Sequence, residues 1–276
     1  MIMQKIIPLL FVVSLFYLTT DAQVPIPNVP YGDGTDPEQV IDVYLPSLDF
    51  GRINKVIILI HGGAWGAGSK AEMAGWVPIF QTLFPDYCVT NMEYRLGTTA
   101  SPGFPKQLED IHLAISFLKS TFTTNVTFAL FGGSAGAHLS MLYSYLWDSQ
   151  TKNVKVVVDL VGPADLTDPA YTEDPIVSEL FLALVGPCRY AECPDLYNAT
   201  SPVTYVSADS APTIGFYGNA DPLVPISQVG LLKNKLDAYG VINNFTVYPG
   251  GHFDWAWEYT EDMILQMADF FNTHWN

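Results

Sequence analysis

The chain has 276 residues, 49% of them hydrophobic and 14% charged, and 28 acidic against 12 basic side chains give a formal net charge of −16. So apolar a composition excludes intrinsic disorder, and the length suits one large domain or two small ones. No basic run relieves the acidic balance, which excludes polyanionic partners, so neither nucleic acid nor an anionic membrane surface is expected.

Lys5 is the only charge ahead of an apolar run, Ile6 to Leu18, which is followed by Thr20, Asp21 and Ala22. This pattern predicts a secretory signal peptide over residues 1–22, and the run is too short for a comfortable transmembrane helix. Cleavage leaves residues 23–276 as a secreted domain, extracellular or periplasmic, with no membrane attachment; a retained N-terminal anchor is the alternative.

The stretch Gln23–Gly51 is rich in Pro and Gly, and Val40–Leu45 within it is expected to form an antiparallel edge strand. Beyond it, Lys55–Ile60, Cys88–Glu93, Thr127–Phe131, Val154–Val161, Thr213–Tyr217 and Asn244–Tyr248 read as strands. Their apolar runs lack clean alternation, as expected of parallel strands covered on both faces. Leu108, Ile111, Ile115, Leu118 and Phe122 mark one helical stripe, and Leu139, Leu142 and Leu146 a second. Met263, Met267, Phe270 and Phe271 mark a C-terminal helix. Alternating strands and helices predict an α/β fold with a mostly parallel sheet, helices on both faces and no second domain. Residues 164–212, punctuated by prolines, break the alternation after the sixth strand and read as a cap-like insertion.

Cys188 and Cys193 lie five apart in a proline-flanked loop and are expected to pair after export, whereas Cys88 reads as a buried free thiol. Asn125, Asn198 and Asn244 begin Asn-x-Ser/Thr sequons, open to glycosylation in a host that performs it.

The sharpest chemical signal is Gly132-Gly133-Ser134-Ala135-Gly136, placed directly between a strand and a helix. In that context G-x-S-x-G is a nucleophile elbow, a tight turn that exposes a serine hydroxyl at the sheet's edge and needs small neighbours. Upstream, His61-Gly62-Gly63-Ala64-Trp65 follows another strand. Its Gly62 and Gly63 N–H groups, with that of Ala135, are candidates for an oxyanion hole. The other triad members should follow in the order acid, then histidine. Asp221 follows the Thr213–Tyr217 strand and His252 the strand ending at Tyr248, so Ser134, Asp221 and His252 are the expected catalytic residues. Asp254 and Asp209 are alternative acids. His61 and His138 read as loop-bracing and packing residues, and His112 and His274 carry no chemical signal. No histidine pair has metal-ligand spacing, so neither a metal nor another cofactor is expected.

Taken together, HGGAW, GGSAGAHL, NADPLVP and GGHF resemble the hormone-sensitive-lipase-like branch of the α/β-hydrolase carboxylesterases, and within it the small secreted acetyl and feruloyl esterases. The resemblance covers about residues 31–273 and implies an α/β-hydrolase fold and cofactor-free hydrolysis of short acyl or aryl esters, including those carried on carbohydrates. One departure is HGGA in place of HGGG at residues 61–64; Ala64 still offers an N–H. The cap is expected to roof the pocket with Tyr171, Leu180, Phe181 and Leu184, and Trp65 contributes from the oxyanion loop. Two rival readings are an arylformamidase-like amidase and a binding module that has lost catalysis. Oligomeric state leaves no mark on the sequence.

Overall fold

The computed structural model describes residues 25–47, 49–122 and 125–275. The expected signal peptide lies outside the described residues. One eight-stranded sheet runs through the molecule in the order β1-β2-β4-β3-β5-β6-β7-β8. Its strands are β1 (Pro25–Pro30), β2 (Val40–Tyr44), β3 (Lys55–Ile60), β4 (Cys88–Met92), β5 (Thr127–Gly133), β6 (Val154–Leu160), β7 (Thr213–Gly218) and β8 (Asn243–Tyr248). β1 and β2 are antiparallel to their neighbours, and the other six strands are mutually parallel.

The expected Val40–Leu45 strand is present and antiparallel, but it is not the edge. β1 pairs outside it, a strand carrying Pro25, Pro27 and Pro30 that buries only Ile26 and Val29. Proline cannot donate to a ladder, so such a strand fits only at an edge. Its prolines conceal it in the sequence.

The apolar runs are continuous because both faces of the sheet are covered. Val56, Ile58 and Ile60 of β3 face one buried cluster, while Ile57 and Leu59 face another. Helices α1 (Val77–Leu83) and α9 (Trp257–His274) pack on the second face through Val77, Phe80, Met263, Met267 and Phe271. Helices α2 (Lys106–Thr121), α3 (Ala135–Leu142) and α8 (Ser227–Ala238) pack on the first, where the stripe Leu108, Ile111, Ile115, Leu118 is buried as expected. Burying each such side chain stabilises the fold by roughly 1.5–3 kcal/mol. The second predicted stripe is divided: α3 ends at Leu142 and Leu146 falls in a π-helical turn, Tyr143–Trp147.

Between β6 and β7 the chain makes an excursion of four short helices, α4 (Pro169–Thr172), α5 (Val177–Leu180), α6 (Leu182–Val185) and α7 (Pro194–Ala199). Its root is tied to α8 by polar side chains. Gln228 Oε1 accepts from the N–H groups of Ala164 and Asp165, both at 2.8 Å, and Gln228 Nε2 donates to Asp168 Oδ2 at 2.8 Å. Cys188 and Cys193 are joined in a disulfide within it, and Cys88 is a buried free thiol in β4. The sequon residues Asn125, Asn198 and Asn244 are exposed. Among the described residues no helix is long and apolar enough to cross a membrane.

Candidate active site

Ser134 stands between β5 and α3 with φ 53° and ψ −117°, a left-handed backbone that non-glycine residues rarely adopt. Holding it there costs on the order of 1–3 kcal/mol. The surroundings enforce it: Ser134 N donates to Leu160 O at 2.8 Å, and Ser134 O accepts from His138 N at 3.0 Å. A Cβ on Gly136 would lie 2.1 Å from Ile60 O, and one on Gly132 would lie 2.2 Å from Gly136 O, so the turn closes only with glycine at both positions. The small residues flanking Ser134 are a packing requirement.

The loop after β3 lies against this turn. A Cβ on Gly62 would meet Gly133 O at 3.0 Å and Ser134 Cβ at 3.3 Å. Gly63, Ala64 and Trp65 all have positive φ, 102°, 47° and 62°. Such a run turns successive N–H groups to one side, and among the described residues those of Gly62 and Gly63 meet no protein acceptor. Ala135 N–H opens α3 and has no intrahelical partner.

Buried polar residues hold the loop in this shape. His61 stacks on Tyr94 with ring centroids 4.1 Å apart, places Nδ1 2.7 Å from Gly62 O and Nε2 3.0 Å from the Glu93 carboxylate. Tyr94 O–H donates to His61 O at 2.9 Å. Trp65 Nε1 donates to His138 Nδ1 at 3.1 Å, and His138 Nε2–H donates to Thr200 O at 2.7 Å. Burial pushes the His138 imidazole down to about 4, against the opposing influence of the Thr200 bond, so the ring stays neutral in that tautomer. His61 braces its own loop, and His138, expected only to pack, is hydrogen-bonded through both ring nitrogens and braces two loops. Arg95 is paired with fully buried Asp110 at 2.7 Å and so fixes the chain after β4.

Asp221 and His252 arrive on the loops after β7 and β8. His252 Nδ1 lies 2.7 Å from Asp221 Oδ2, and Asp221 Oδ1 accepts from Leu223 N at 2.8 Å and Val224 N at 3.0 Å. The alternative acids do other work. Asp254 accepts from Gly251 N and braces the histidine loop, while Asp209 pairs with Lys152 at the surface. His112 contacts Tyr143, and His274 packs on Phe270 at the end of α9.

Ser134 and His252 open into one cavity of about 810 Å³, whose walls include Gly62, Gly63, Trp65, Tyr171, Leu180 and Phe181. That volume falls within the range of small-molecule sites. Leu184 is a correction: it is fully buried in the core and is not among the residues that line the cavity, whereas Phe181 is. Phe181 stands at the junction between α5 and α6, outside the single turn that carries Leu184. Met73 and Trp76, Leu223 and Val224, and Trp255 and Met263 also line the cavity. Leu223 and Val224 belong to the NADPLVP stretch beside Asp221, whereas Met73, Trp76, Trp255 and Met263 carry no motif. No group of His, Cys, Asp or Glu able to hold a metal occurs among the described residues.

Similarities to known proteins bear on the family and the fold. The BD-FAE family profile matches residues 41–236. Esterase LipQ of Mycobacterium tuberculosis is 26% identical over 262 residues, covering 88% of this chain and 61% of LipQ. Esterase LipC of the same organism is 25% identical over 225 residues, 76% of this chain and 55% of LipC. The chain thus spans little more than half the length of these curated relatives. Among solved structures, a truncated carbohydrate esterase from gut microbiota superposes with a TM-score of 0.74 at 25% identity, covering 92% of this chain and 98% of that one. The Pyrobaculum calidifontis esterase superposes at 0.69 and 21% identity, covering 98% and 91%, and shares the fold. With its mostly parallel sheet and strained serine turn, the chain has the α/β-hydrolase fold and belongs to the BD-FAE family.

Proposed function

We propose that the protein is a serine carboxylesterase with Ser134 as nucleophile, His252 as general base and Asp221 as its orienting acid. The observation that carries the reading is the strained Ser134 turn opening into the same cavity as an Asp221-paired His252. His252 Nε2 takes the Ser134 proton as Oγ attacks the ester carbonyl. The resulting oxyanion is received by the N–H groups of Gly62, Gly63 and Ala135. His252 then protonates the departing alkoxide, and water, activated by the same imidazole, releases the acid from the acyl-enzyme. Asp221 fixes the tautomer that leaves Nε2 free to accept, and stabilises the imidazolium.

The walls support small acyl or aryl groups as substrates, acetyl or feruloyl groups on carbohydrates among them. Trp65 and Phe181 pack at 5.5 Å and Phe181 and Tyr171 at 5.1 Å, closing the side formed by the excursion, which acts as a cap. A substrate of this kind needs neither metal nor cofactor. Export is part of the same reading, supported by the Cys188–Cys193 disulfide and by sequons on exposed asparagines. N-terminal sequencing of the secreted protein checks it.

Ser134→Ala tests the centre of the proposal. The variant should lose at least about 10³-fold in kcat on p-nitrophenyl acetate and all labelling by a fluorophosphonate, while melting as the parent does. Activity near the parent's would end the assignment.

A further inference from the structure

Glu72 lines the cavity on a 3₁₀ segment, Lys70–Trp76, that also contributes Met73 and Trp76 to its wall. It is the only carboxylate among the lining residues, and no lysine or arginine stands with it. Among the described residues its carboxylate has no ion pair or hydrogen bond. The nearest cation in sequence, Lys70, is held 2.5 Å from Asp42 and 2.5 Å from Asn28 Oδ1. A Cβ on Gly68 would lie 3.0 Å from Glu72 Oε1 and 2.8 Å from Gly62 O, so the carboxylate is within about 6 Å of the Gly62 carbonyl, beside the oxyanion loop.

Glu72 is solvent-exposed, so its charge is hydrated and partly screened, and a negative charge on this wall does not favour the growth of an oxyanion. Its surroundings give it another use. Trp76 and Trp255 line the same cavity, both pack against the cluster that contains Met73 and Met263, and both are only partly buried. Aromatic rings that line the same cavity as a carboxylate without a protein counter-ion are a combination that holds an organic cation, the rings through their quadrupoles and the carboxylate as counter-ion. We propose that this half of the cavity is a subsite for a cationic group, an ammonium carried near the scissile ester, with Glu72 as its counter-ion, and that esters bearing a carboxylate there are rejected. The inference rests on the Ser134 reading of the active site.

The test compares acetylcholine with its neutral carbon isostere, 3,3-dimethylbutyl acetate, so that shape is constant and only charge varies. The readout is the ratio of their kcat/KM values. In the parent the ratio should exceed one. Glu72→Gln should lower it about three- to tenfold, the effect of one partly screened charge at this range, and Glu72→Lys should lower it further. Added salt should shrink the parent's ratio and leave that of Glu72→Gln nearly constant. Asp269→Asn removes the same charge from an exposed site on α9 about 9 Å along the axis from the lining residue Met263, and should move the ratio less than Glu72→Gln does. A ratio unmoved by Glu72→Gln, or moved equally by Asp269→Asn, overturns the subsite. Hydrolysis of the neutral ester that survives Ser134→Ala would instead overturn the active site on which it rests.

Discussion

Asp159 offers the most quantitative check on the structure, because the hydrogen bonds around it demand a particular protonation state. It is fully buried near the end of β6, where Oδ1 accepts from Gly162 N at 2.8 Å and Oδ2 meets the hydroxyl of Tyr217. The same hydroxyl lies 2.8 Å from Gly162 O. Tyr217 has one proton for two acceptors if Asp159 is ionised. With Asp159 protonated, its O–H donates to Tyr217 and Tyr217 donates to Gly162, and every group is satisfied. Burial pushes the Asp159 carboxyl up from 3.8 to about 7, opposed by the bonds from Tyr217 and Gly162.

The sign follows from linkage. Between 3.8 and about 7 the unfolded chain has released this proton while the folded chain still holds it, so stability falls as pH rises across that window. At about 1.4 kcal/mol per pH unit, the loss from pH 5 to pH 8 is about 3 kcal/mol. Asp159→Asn mimics the neutral acid: its amide N–H donates to Tyr217 and its carbonyl accepts from Gly162. Urea unfolding of parent and variant at both pH values isolates this group, because all other titrations cancel in the difference. The variant should gain about 3 kcal/mol relative to the parent at pH 8 compared with pH 5. Parallel stability profiles would refute a buried neutral acid.

Asp221→Asn should lower kcat on p-nitrophenyl acetate about 10²–10⁴-fold, since His252 loses the partner that fixes its tautomer, whereas Asp254→Asn should cost less than about tenfold; the reverse ranking would assign the triad acid to the wrong loop. Gly136→Val should unfold the elbow, because its Cβ would lie 2.1 Å from Ile60 O and 2.4 Å from His61 O; a melting temperature equal to the parent's would contradict that packing. Burial also raises the Cys88 thiol far above its ordinary range, so Ellman's reagent should find no thiol in the folded protein and one after unfolding without reductant. Three thiols on unfolding would mean that Cys188 and Cys193 are not joined.

The parallel strands and the serine turn were legible for different reasons. Val56–Ile60 and Phe128–Phe131 are apolar on both faces, so composition alone marks them as central. The turn is legible because backbone approaches near 2 Å at Gly132 and Gly136 leave no other residue possible. Asp221 and His252, which the structure pairs, are marked in the sequence by their place after successive strands. β1 stayed hidden because its prolines, an edge strand's licence, look like a loop's. Leu184 was misplaced because helices α5 and α6 are each one turn long, too short for periodicity to say which side faces inward.

What the sequence hid most completely are the polar joints that fix the active-site loops. Trp65 and His138 are 73 residues apart, His138 and Thr200 62, and Gln228 and Ala164 64. Gln107 belongs with them: buried on α2, its Nε2 donates to Trp65 O at 2.7 Å and Arg95 O at 3.0 Å. A polar letter in a helix reads as a solvated position until its partner is known. Apolar burial is non-directional and could hold the loop after β3, helix α3 and the excursion between β6 and β7 together in many arrangements. Hydrogen bonds satisfied at fixed angles hold few, and an unpaired partner left inside costs about 1–3 kcal/mol. The strained backbone from Gly63 to Trp65 therefore needs directional bonds from two other elements, α2 through Gln107 and α3 through His138, the second of which also reaches the cap. Through His138, the helix that begins after Ser134 sets both the loop after β3 and the excursion between β6 and β7.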